Sequence, residues 1–323
     1  MEIALKAKRL KAEGRDIISF SIGVPNFLPA DHVYQAAREA LEHDSGQYGS
    51  NRGPDDLVDA WLGSLERSGV TGYGRENVVT GVGAKHVLFN VLYALVDEGD
   101  EVLIPTPYWT SYIDMLDVMG AKNVLLPCSA EQSYKLRPEQ LAAAITPKTR
   151  VLMFNNPSNP TGMVYTKDEI AALAAELVKH DIWILSDDIY REMIFDGIGW
   201  HHLVTAEPKL RDRVVLIDSI SKTYGMPGWR VGFMAAPERL AKACVTLNST
   251  AITNLPEVVC AAAAAALSGS QAVTEGKCKE FAGRRDQVMA CFSRIAGMTC
   301  PKPQGAFYAF PNISFAFGRK HRG

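Results

Sequence analysis

Four short apolar runs separated by helical segments constrain the fold of this 323-residue chain more than any other feature. The runs cover residues 100–109, 149–157, 181–188 and 213–219. Segments with helical spacing lie between them, at 110–120, 137–145 and 166–180. Short strands that alternate with helices of this length predict βαβ units and a largely parallel sheet with helices on both faces. The predicted fold class is therefore α/β.

Two further patterns refine this prediction. The run 228–237 follows 213–219 too closely for a crossover helix, so it should pair in the antiparallel direction. After about residue 270 the pattern changes to a long helix at 272–297 and a strand-like run at 305–313. We expect a second, smaller α/β domain to begin there.

Charge and cysteine usage exclude several classes of function. Lys and Arg total 34 against 36 acids, which gives no support for binding to nucleic acid or to an acidic membrane surface. The six cysteines have no metal-like or redox-motif spacing, so we expect reduced thiols and no metal site. Residues 1–16 read as an amphipathic helix ended by Gly14, without the apolar core of a secretory signal. A cytoplasmic protein without membrane or nucleic-acid partners is expected.

The stretch "DSISKTYGMPGWRVG" (218–232) places Lys222 directly after a predicted strand. A partly buried lysine near cations has a lowered pKa and can form an imine with an aldehyde. Arg230 can bind a phosphate with two donors, and Ser219 and Ser221 can add hydroxyl groups. An exposed lysine and a structural arginine in a loop fit this stretch slightly better when it is considered alone.

A second candidate anion site opens the helical segment "TGVGAKHVLFNVLYALV" (80–96). A glycine-rich turn before a helix exposes unpaired N–H groups at the positive helix end. The backbone amides of Gly83, Ala84 and Lys85 are the candidate donors. The third glycine and the downstream acid of a dinucleotide-binding motif are missing, and the stretch is not a phosphate loop.

Polar and aromatic side chains follow the other predicted strands. Asp187 ends a buried strand, where an unpaired carboxylate would be costly unless a cationic ring nitrogen paired with it. Asn159, in the turn "NNPSNPTG", and Tyr190 could both reach a phenolate oxygen. Trp109 could stack on an aromatic ring. Each has a plainer alternative: a loop, a helix cap, a metal ligand without a histidine partner, or a core aromatic residue.

An aldehyde, a phosphate, a protonated pyridine and a phenolate together describe pyridoxal phosphate. In these residues the chain resembles the fold type I pyridoxal-phosphate enzymes, in particular the class I/II aminotransferases related to bacterial aspartate aminotransferase. The matching stretches run from residue 21 to residue 308: "SIGVPNF", "GQYGSNRG", "GVGAKH", "PTPYW", "NPSNPTG", "SDDIY", "SISKTYGMPGWRVG" and "PQGAFY".

The resemblance implies a role for each matching residue. Lys222 would be the Schiff-base lysine and proton shuttle, and Asp187 would pair with the pyridine nitrogen. The remaining implied cofactor contacts are Asn159 and Tyr190 on the phenolic oxygen, Trp109 on the ring, and Gly83, Ala84, Lys85, Ser219, Ser221 and Arg230 on the phosphate. Tyr48 would reach the phosphate of a partner subunit's cofactor. Gly23, Asn159 and the side chain of Lys85 would meet the substrate, Lys85 by receiving a distal carboxylate, although a solvated lysine is an equal alternative.

The resemblance also implies an architecture. It predicts a seven-stranded large domain at 31–285 that binds the cofactor, with 1–30 belonging to the small domain and 286–323 beginning its second part. It implies a homodimer. The match is short at both ends, and the family's arginine for the substrate α-carboxylate has no counterpart here. We therefore also expect a truncated domain that could bind the cofactor with little activity.

The function implied is transfer of an amino group between an L-amino acid, with an acidic one such as aspartate as one option, and a 2-oxo acid by a ping-pong mechanism. A carbon–sulfur lyase, or a related lyase of the same fold, would keep every cofactor residue named above and remains an alternative.

Overall fold

In the computed structural model, which describes residues 2–20, 23–44 and 46–319, seven strands form one sheet. They are β1 (Val78–Gly81), β2 (Glu101–Thr106), β3 (Lys122–Pro127), β4 (Thr149–Asn155), β5 (Trp183–Asp187), β6 (Val214–Ser219) and β7 (Gly232–Ala235). Their order across the sheet is β1-β7-β6-β5-β4-β2-β3. Strands β2 to β6 pair in parallel, and β7 is antiparallel to both of its neighbours.

Helices cover both faces of this sheet. The α-helices of the described residues are α1 (Glu2–Ala12), α2 (Asp31–His43), α3 (Asp55–Arg67), α4 (Gly83–Leu95), α5 (Ser111–Val118), α6 (Pro138–Ala144), α7 (Lys167–Leu177), α8 (Leu203–Ala206), α9 (Ile220–Thr223), α10 (Glu238–Ala251), α11 (Glu257–Ser268) and α12 (Ala272–Phe292). The central strands carry continuous apolar runs, such as 151–154 in β4 and 214–217 in β6, as expected for strands buried on both faces.

The core is divided into two layers by the sheet. Leu152 on β4 packs in the layer that contains α3, α7 and α11, whereas its neighbours Val151 and Met153 pack in the layer that contains α4, α5 and α10. This alternation is the two-residue period of a strand. The α/β prediction with helices on both faces is therefore confirmed.

The predicted central strands and the helices between them are confirmed, as is the antiparallel direction of β7. The sequence patterns missed β1 and β3, which form the two edges of the sheet. β1 has four residues, and β3 is mostly exposed, so neither gives a long apolar run.

The predicted strand at 305–313 is wrong. Within the described residues this segment makes only isolated bridges, at Gly305 and Asn312. Ala306 has a φ of 55°, a left-handed conformation that interrupts an extended strand. The domain boundaries predicted at 30/31 and 285/286 stay a prediction, and α12 continues through the second of them.

Within the ranges that the structure describes, no single helix has both the length and the hydropathy needed to cross a membrane. The helices α11 and α12 meet those two criteria only as a pair, across a bend of 73°.

Close packing between β7 and the first turn of α4 gives a stability prediction. A Cβ on Gly232 would collide with the backbone of Gly83 and Ala84, whereas a Cβ on Gly228 would enter open space. We expect Gly232→Ala to lower the free energy of unfolding by about 1–3 kcal/mol because backbone must shift. Gly228→Ala is the matched control. Equal unfolding free energies in a denaturant titration would contradict this packing.

Candidate active site

The strand order brings the candidate residues to one edge of the sheet. The parallel strands β2, β4, β5 and β6 all end there, and open α/β sheets bind ligands at the carboxyl ends of their strands. Trp109 follows β2, Asn159 follows β4, Asp187 ends β5, and Lys222 lies in α9 directly after β6. The predicted convergence of these four strand ends is present.

Asp187 has a buried carboxylate with one satisfied oxygen and one open oxygen. Its Oδ2 accepts a hydrogen bond of 2.6 Å from the hydroxyl of Tyr112. Its Oδ1 is buried and has no hydrogen-bond partner among the described residues. Burial raises the pKa of Asp187 to about 7, although the Tyr112 hydroxyl opposes that rise. An open oxygen on a buried acid is suited to a donor that arrives with a ligand.

Lys222 presents its amine at the same place. Its Nζ donates a hydrogen bond of 2.8 Å to the carbonyl oxygen of Gly23 and lies 5.4 Å from the ring centre of Phe307. Burial lowers the pKa of Lys222 to about 8, with Arg230 adding to the effect and Asp187 opposing it. The neutral amine therefore becomes the major form as the pH rises through about 8. A neutral amine is the nucleophilic form.

The first turn of α4 forms an anion cradle together with Arg230. Gly83 has a φ of 77°, and a Cβ there would collide with the Arg230 guanidinium. Arg230 itself has a left-handed φ of 59°, and its guanidinium donates to the carbonyl oxygens of Val82 (3.1 Å) and Pro227 (2.9 Å). The glycine thus lets a fixed cation approach the positive end of a 13-residue helix.

The two serines of the motif lie beside this cradle. Ser219 pairs in register with Gly232, the residue that packs against the first turn of α4. The Ser219 side chain caps α9 by accepting a hydrogen bond of 3.1 Å from the backbone N–H of Ser221. Both serines are buried, so neither lies in a solvated loop.

A buried network fixes Ser219 from the opposite side. Asp218 Oδ1 accepts a hydrogen bond of 2.7 Å from the Ser219 backbone. Its Oδ2 accepts from Arg191 Nε at 2.9 Å and from Trp61 Nε1 at 3.3 Å. The charged pair is therefore satisfied within the protein, and it holds the end of β6 in place.

Tyr190 and Asn159 also meet, as their candidate roles require. The Tyr190 hydroxyl lies 2.6 Å from the Tyr308 hydroxyl, and the nearby Asn159 side chain acts to lower the pKa of Tyr190. Burial raises the pKa of Tyr190 well above its ordinary value, so this phenol stays protonated. Tyr190 also packs edge-on against Phe307, at 5.6 Å between ring centres.

The side chain of Lys85 lies against Trp109. Its Nζ donates a hydrogen bond of 3.0 Å to Ser111 Oγ and lies 4.9 Å from the centre of the Trp109 ring. Tyr112 contacts the same tryptophan edge-on, at 5.4 Å between ring centres. The ammonium of Lys85 is therefore held beside the ring that should stack on a cofactor.

For two candidate residues, Tyr48 and Gly23, the contacts within this chain are not those of the expected role. The side chain of Tyr48 is 88% exposed, and the cofactor contact implied for it is one with a partner subunit. Gly23 contacts Lys222 through its carbonyl oxygen, whereas the role expected for it uses its N–H group.

Sequence reasoning missed three residues of the site: Tyr112, Phe307 and Tyr308. Tyr112 lies three residues after Trp109, which is one turn of helix, and this spacing was the available signal. Phe307 and Tyr308 belong to the stretch "PQGAFY", which carried the resemblance but had no residue role assigned. Their contacts with Lys222 and Tyr190 cross more than eighty residues of sequence.

A cavity of about 560 Å³ lies away from these strand ends, between the end of α3, the segment 192–197 and α12. None of the strand-end residues described above lines it. Several of its charged groups are already paired, such as Asp196 with Arg285 and Arg67 with the carbonyl oxygen of Leu267. Cavity size therefore does not locate the chemistry in this protein.

Comparison with known proteins decides the family. The sequence profile described as "Aminotransferase class I and II" matches residues 15–317. The aspartate/prephenate aminotransferase of Cereibacter sphaeroides is 40% identical over 319 residues, which is 98% of this chain and 80% of the relative. The aspartate aminotransferase of Geobacillus stearothermophilus is 38% identical over 97% of this chain and 79% of its own.

This chain belongs to the class I and II aminotransferases.

Solved structures agree with this assignment. The aspartate aminotransferase of Rhizobium meliloti superposes with a TM-score of 0.93 at 36% identity, covering 96% of this chain and 78% of that one. The Thermus thermophilus aspartate aminotransferase with maleate gives a TM-score of 0.91 at 30% identity. The match covers 98% of this chain and 82% of that one. The predicted fold type and the predicted family are confirmed.

As a class I and II aminotransferase, the protein is a pyridoxal-phosphate-dependent enzyme that exchanges an amino group between an amino acid and a 2-oxo acid by a ping-pong scheme. The chemistry of the residues at the strand ends fits that cofactor. They offer a half-buried amine, a buried acid with an open oxygen, and a glycine at the first turn of α4 beside a fixed cation.

Proposed function

We propose that this aminotransferase takes its amino group from L-aspartate or another acidic amino acid, in the cytoplasm, with pyridoxal phosphate held between Lys222 and Asp187. One observation supports the proposal above all others. The buried open carboxylate oxygen of Asp187 and the half-buried amine of Lys222 lie at adjacent strand ends, and each group has a strongly shifted pKa. Perturbed ionisable groups that converge in this way are typical of active sites.

The proposed cofactor contacts use the geometry of each strand end. Asp187 Oδ1 would accept from the ring nitrogen, and Lys222 Nζ would hold the aldehyde carbon. Asn159 and Tyr190 would donate to the phenolic oxygen, and Trp109 would cover the ring. The phosphate would be bound by Ser219, Ser221, Arg230 and the backbone amides of Gly83, Ala84 and Lys85.

When bound, pyridoxal phosphate supplies an aldehyde for an amine and a ring that withdraws electrons from the substrate α-carbon. Lys222 Nζ, once free, takes the proton from that carbon and later returns it, as a general base and acid. The pKa of Lys222, about 8, suits both the removal and the return of this proton near neutral pH. The carbonyl oxygen of Gly23 accepts a hydrogen bond of 2.8 Å from the free amine and restrains its position.

Lys85 supports the choice of an acidic substrate. Its ammonium lies beside Trp109 at the edge of the proposed cofactor site and is held only by a serine hydroxyl, with no carboxylate partner among the described residues. A cation without a paired acid can accept a distal carboxylate from a substrate. Relatives of this chain are named aspartate or aspartate/prephenate aminotransferases, and the Thermus thermophilus structure contains the dicarboxylate maleate.

A homodimer is part of the same proposal. Tyr48 is almost fully exposed, which leaves its phenol able to reach the phosphate site of a second copy. Sedimentation of the holoprotein should give twice the chain mass, and Tyr48→Phe should weaken cofactor binding without changing that mass. A monomer with full activity would contradict the proposal.

The substrate proposal is tested by single-turnover half-reactions, which follow the visible absorbance of the holoenzyme after addition of L-aspartate or L-phenylalanine. We expect the wild-type protein to react with aspartate. Lys85→Ala should slow the aspartate reaction about 10–100-fold, since a hydrogen-bonded charge pair is lost, and should change the phenylalanine reaction little.

Lys167→Ala, which removes an exposed first-turn lysine from α7, is the matched control and should leave both reactions unchanged. Equal losses on the two amino acids in Lys85→Ala would refute the acidic-substrate role. Absence of any wild-type reaction with aspartate would refute the proposed substrate class.

A further inference from the structure

The contact between Tyr112 and Asp187 has a geometry that a purely structural tyrosine would not need. The Tyr112 side chain is buried, and its hydroxyl donates to Asp187 Oδ2 at 2.6 Å. Only one carboxylate oxygen is engaged in this way, and the other is left without a partner in the described part of the chain.

The direction of this hydrogen bond is fixed. Burial and the adjacent carboxylate raise the pKa of Tyr112 well above its ordinary value, so the phenol keeps its proton at every working pH. A protonated phenol beside a carboxylate can only donate to it, and a hydrogen bond to an ion favours the charged form. The bond therefore opposes the effect of burial on Asp187.

Two contacts hold the Tyr112 ring in the position that this bond requires. The ring sits in the first turn of α5 and packs edge-on against Trp109, with 85° between the ring planes. The residue also lines a cavity of about 20 Å³ with Asn155 and Asn159, which is far too small for a substrate. The Tyr112 side chain is therefore buried beside Trp109 and Asp187, and the cavity that it lines cannot hold an amino acid.

We propose that Tyr112 is a positioning residue, whose hydroxyl fixes one Asp187 oxygen so that the other is presented, charged, to the ring nitrogen of pyridoxal phosphate. This inference deepens the proposed function and rests on it. Tyr112 would not touch the reacting atoms. It acts through Asp187, and its loss should alter the properties of the bound cofactor before it alters the affinity for substrate.

Other groups act on the same carboxylate and have to be kept constant in any test. The titratable groups that influence Asp187, or are influenced by it, are Tyr112, Asp188, Tyr190, Asp218, Lys222 and Tyr308. Replacing Tyr112 by phenylalanine removes only the hydroxyl and keeps the ring against Trp109. It is therefore the variant of choice.

The test measures three quantities on the full chain: the dissociation constant of pyridoxal phosphate from the apoprotein, the pH dependence of the visible absorbance of the holoenzyme, and kcat and KM with aspartate. We expect Tyr112→Phe to weaken cofactor binding about tenfold or more, the loss typical of a hydrogen bond to a charged group. The pH profile of the absorbance should shift, and kcat should fall while KM stays near the wild-type value.

Tyr165→Phe is the matched control. Tyr165 is equally buried, and its hydroxyl accepts a hydrogen bond of 2.7 Å from the Leu136 backbone, outside the site. The Tyr165→Phe protein should lose stability only, and its absorbance and cofactor affinity should stay unchanged. If Tyr112→Phe does not fold, Tyr112→Met, with a flexible apolar side chain, should give the same cofactor defect.

A double-mutant cycle with Asp187→Asn tests whether Tyr112 acts through Asp187. If Tyr112 acts through Asp187, Tyr112→Phe should cause no further loss of cofactor affinity in the Asp187→Asn background. Additive losses, or a Tyr112→Phe protein that matches Tyr165→Phe, would overturn the positioning role while leaving the proposed function intact. An Asp187→Asn protein with wild-type cofactor properties would overturn both.

Discussion

A buried acid and a half-buried amine meet at the edge of this sheet without forming an ion pair, and the rest of the site follows from that arrangement. Asp187 and Lys222 form no ion pair within the described residues, and burial shifts their pKa values in opposite directions, to about 7 and about 8. Unpaired buried polar groups destabilise a fold, so such a pair persists only where the surrounding structure is rigid. A ligand with a ring nitrogen and an aldehyde would satisfy both groups.

The rigidity comes from the parallel sheet. Strands β4, β5 and β6 are buried on both faces, and their ends are fixed by hydrogen bonds that do not involve a ligand. The Asp218–Arg191 pair holds the end of β6, and Tyr112 holds the end of β5. Glycine at positions 83 and 232 then allows α4, β7 and Arg230 to approach closely enough to form an anion site. The packing of strands and helices, and not the loop residues alone, therefore positions the charged groups of the site.

Much of this could be predicted from the sequence because the site residues follow apolar runs directly. Lys222, Asp187 and Asn159 each lie within a few residues of a strand end, so predicting the strands also placed the residues. Tyr112 and Tyr308 could not be placed in this way, since their partners are 75 and 118 residues away and the contacts exist only in the folded chain. The edge strands were missed for two reasons: β1 has only four residues, and the exposure of β3 removes its apolar pattern.

The central claim is that Lys222 is the one amine that binds the cofactor covalently. The most direct measurement is reduction of the holoprotein with borohydride, followed by digestion and mass mapping of the tagged peptide. The account predicts a single pyridoxyl tag on Lys222, in the peptide that contains "SISKTYGMPGWR". A tag on another lysine, a scatter over several lysines, or no tag in protein supplied with ample cofactor would contradict it.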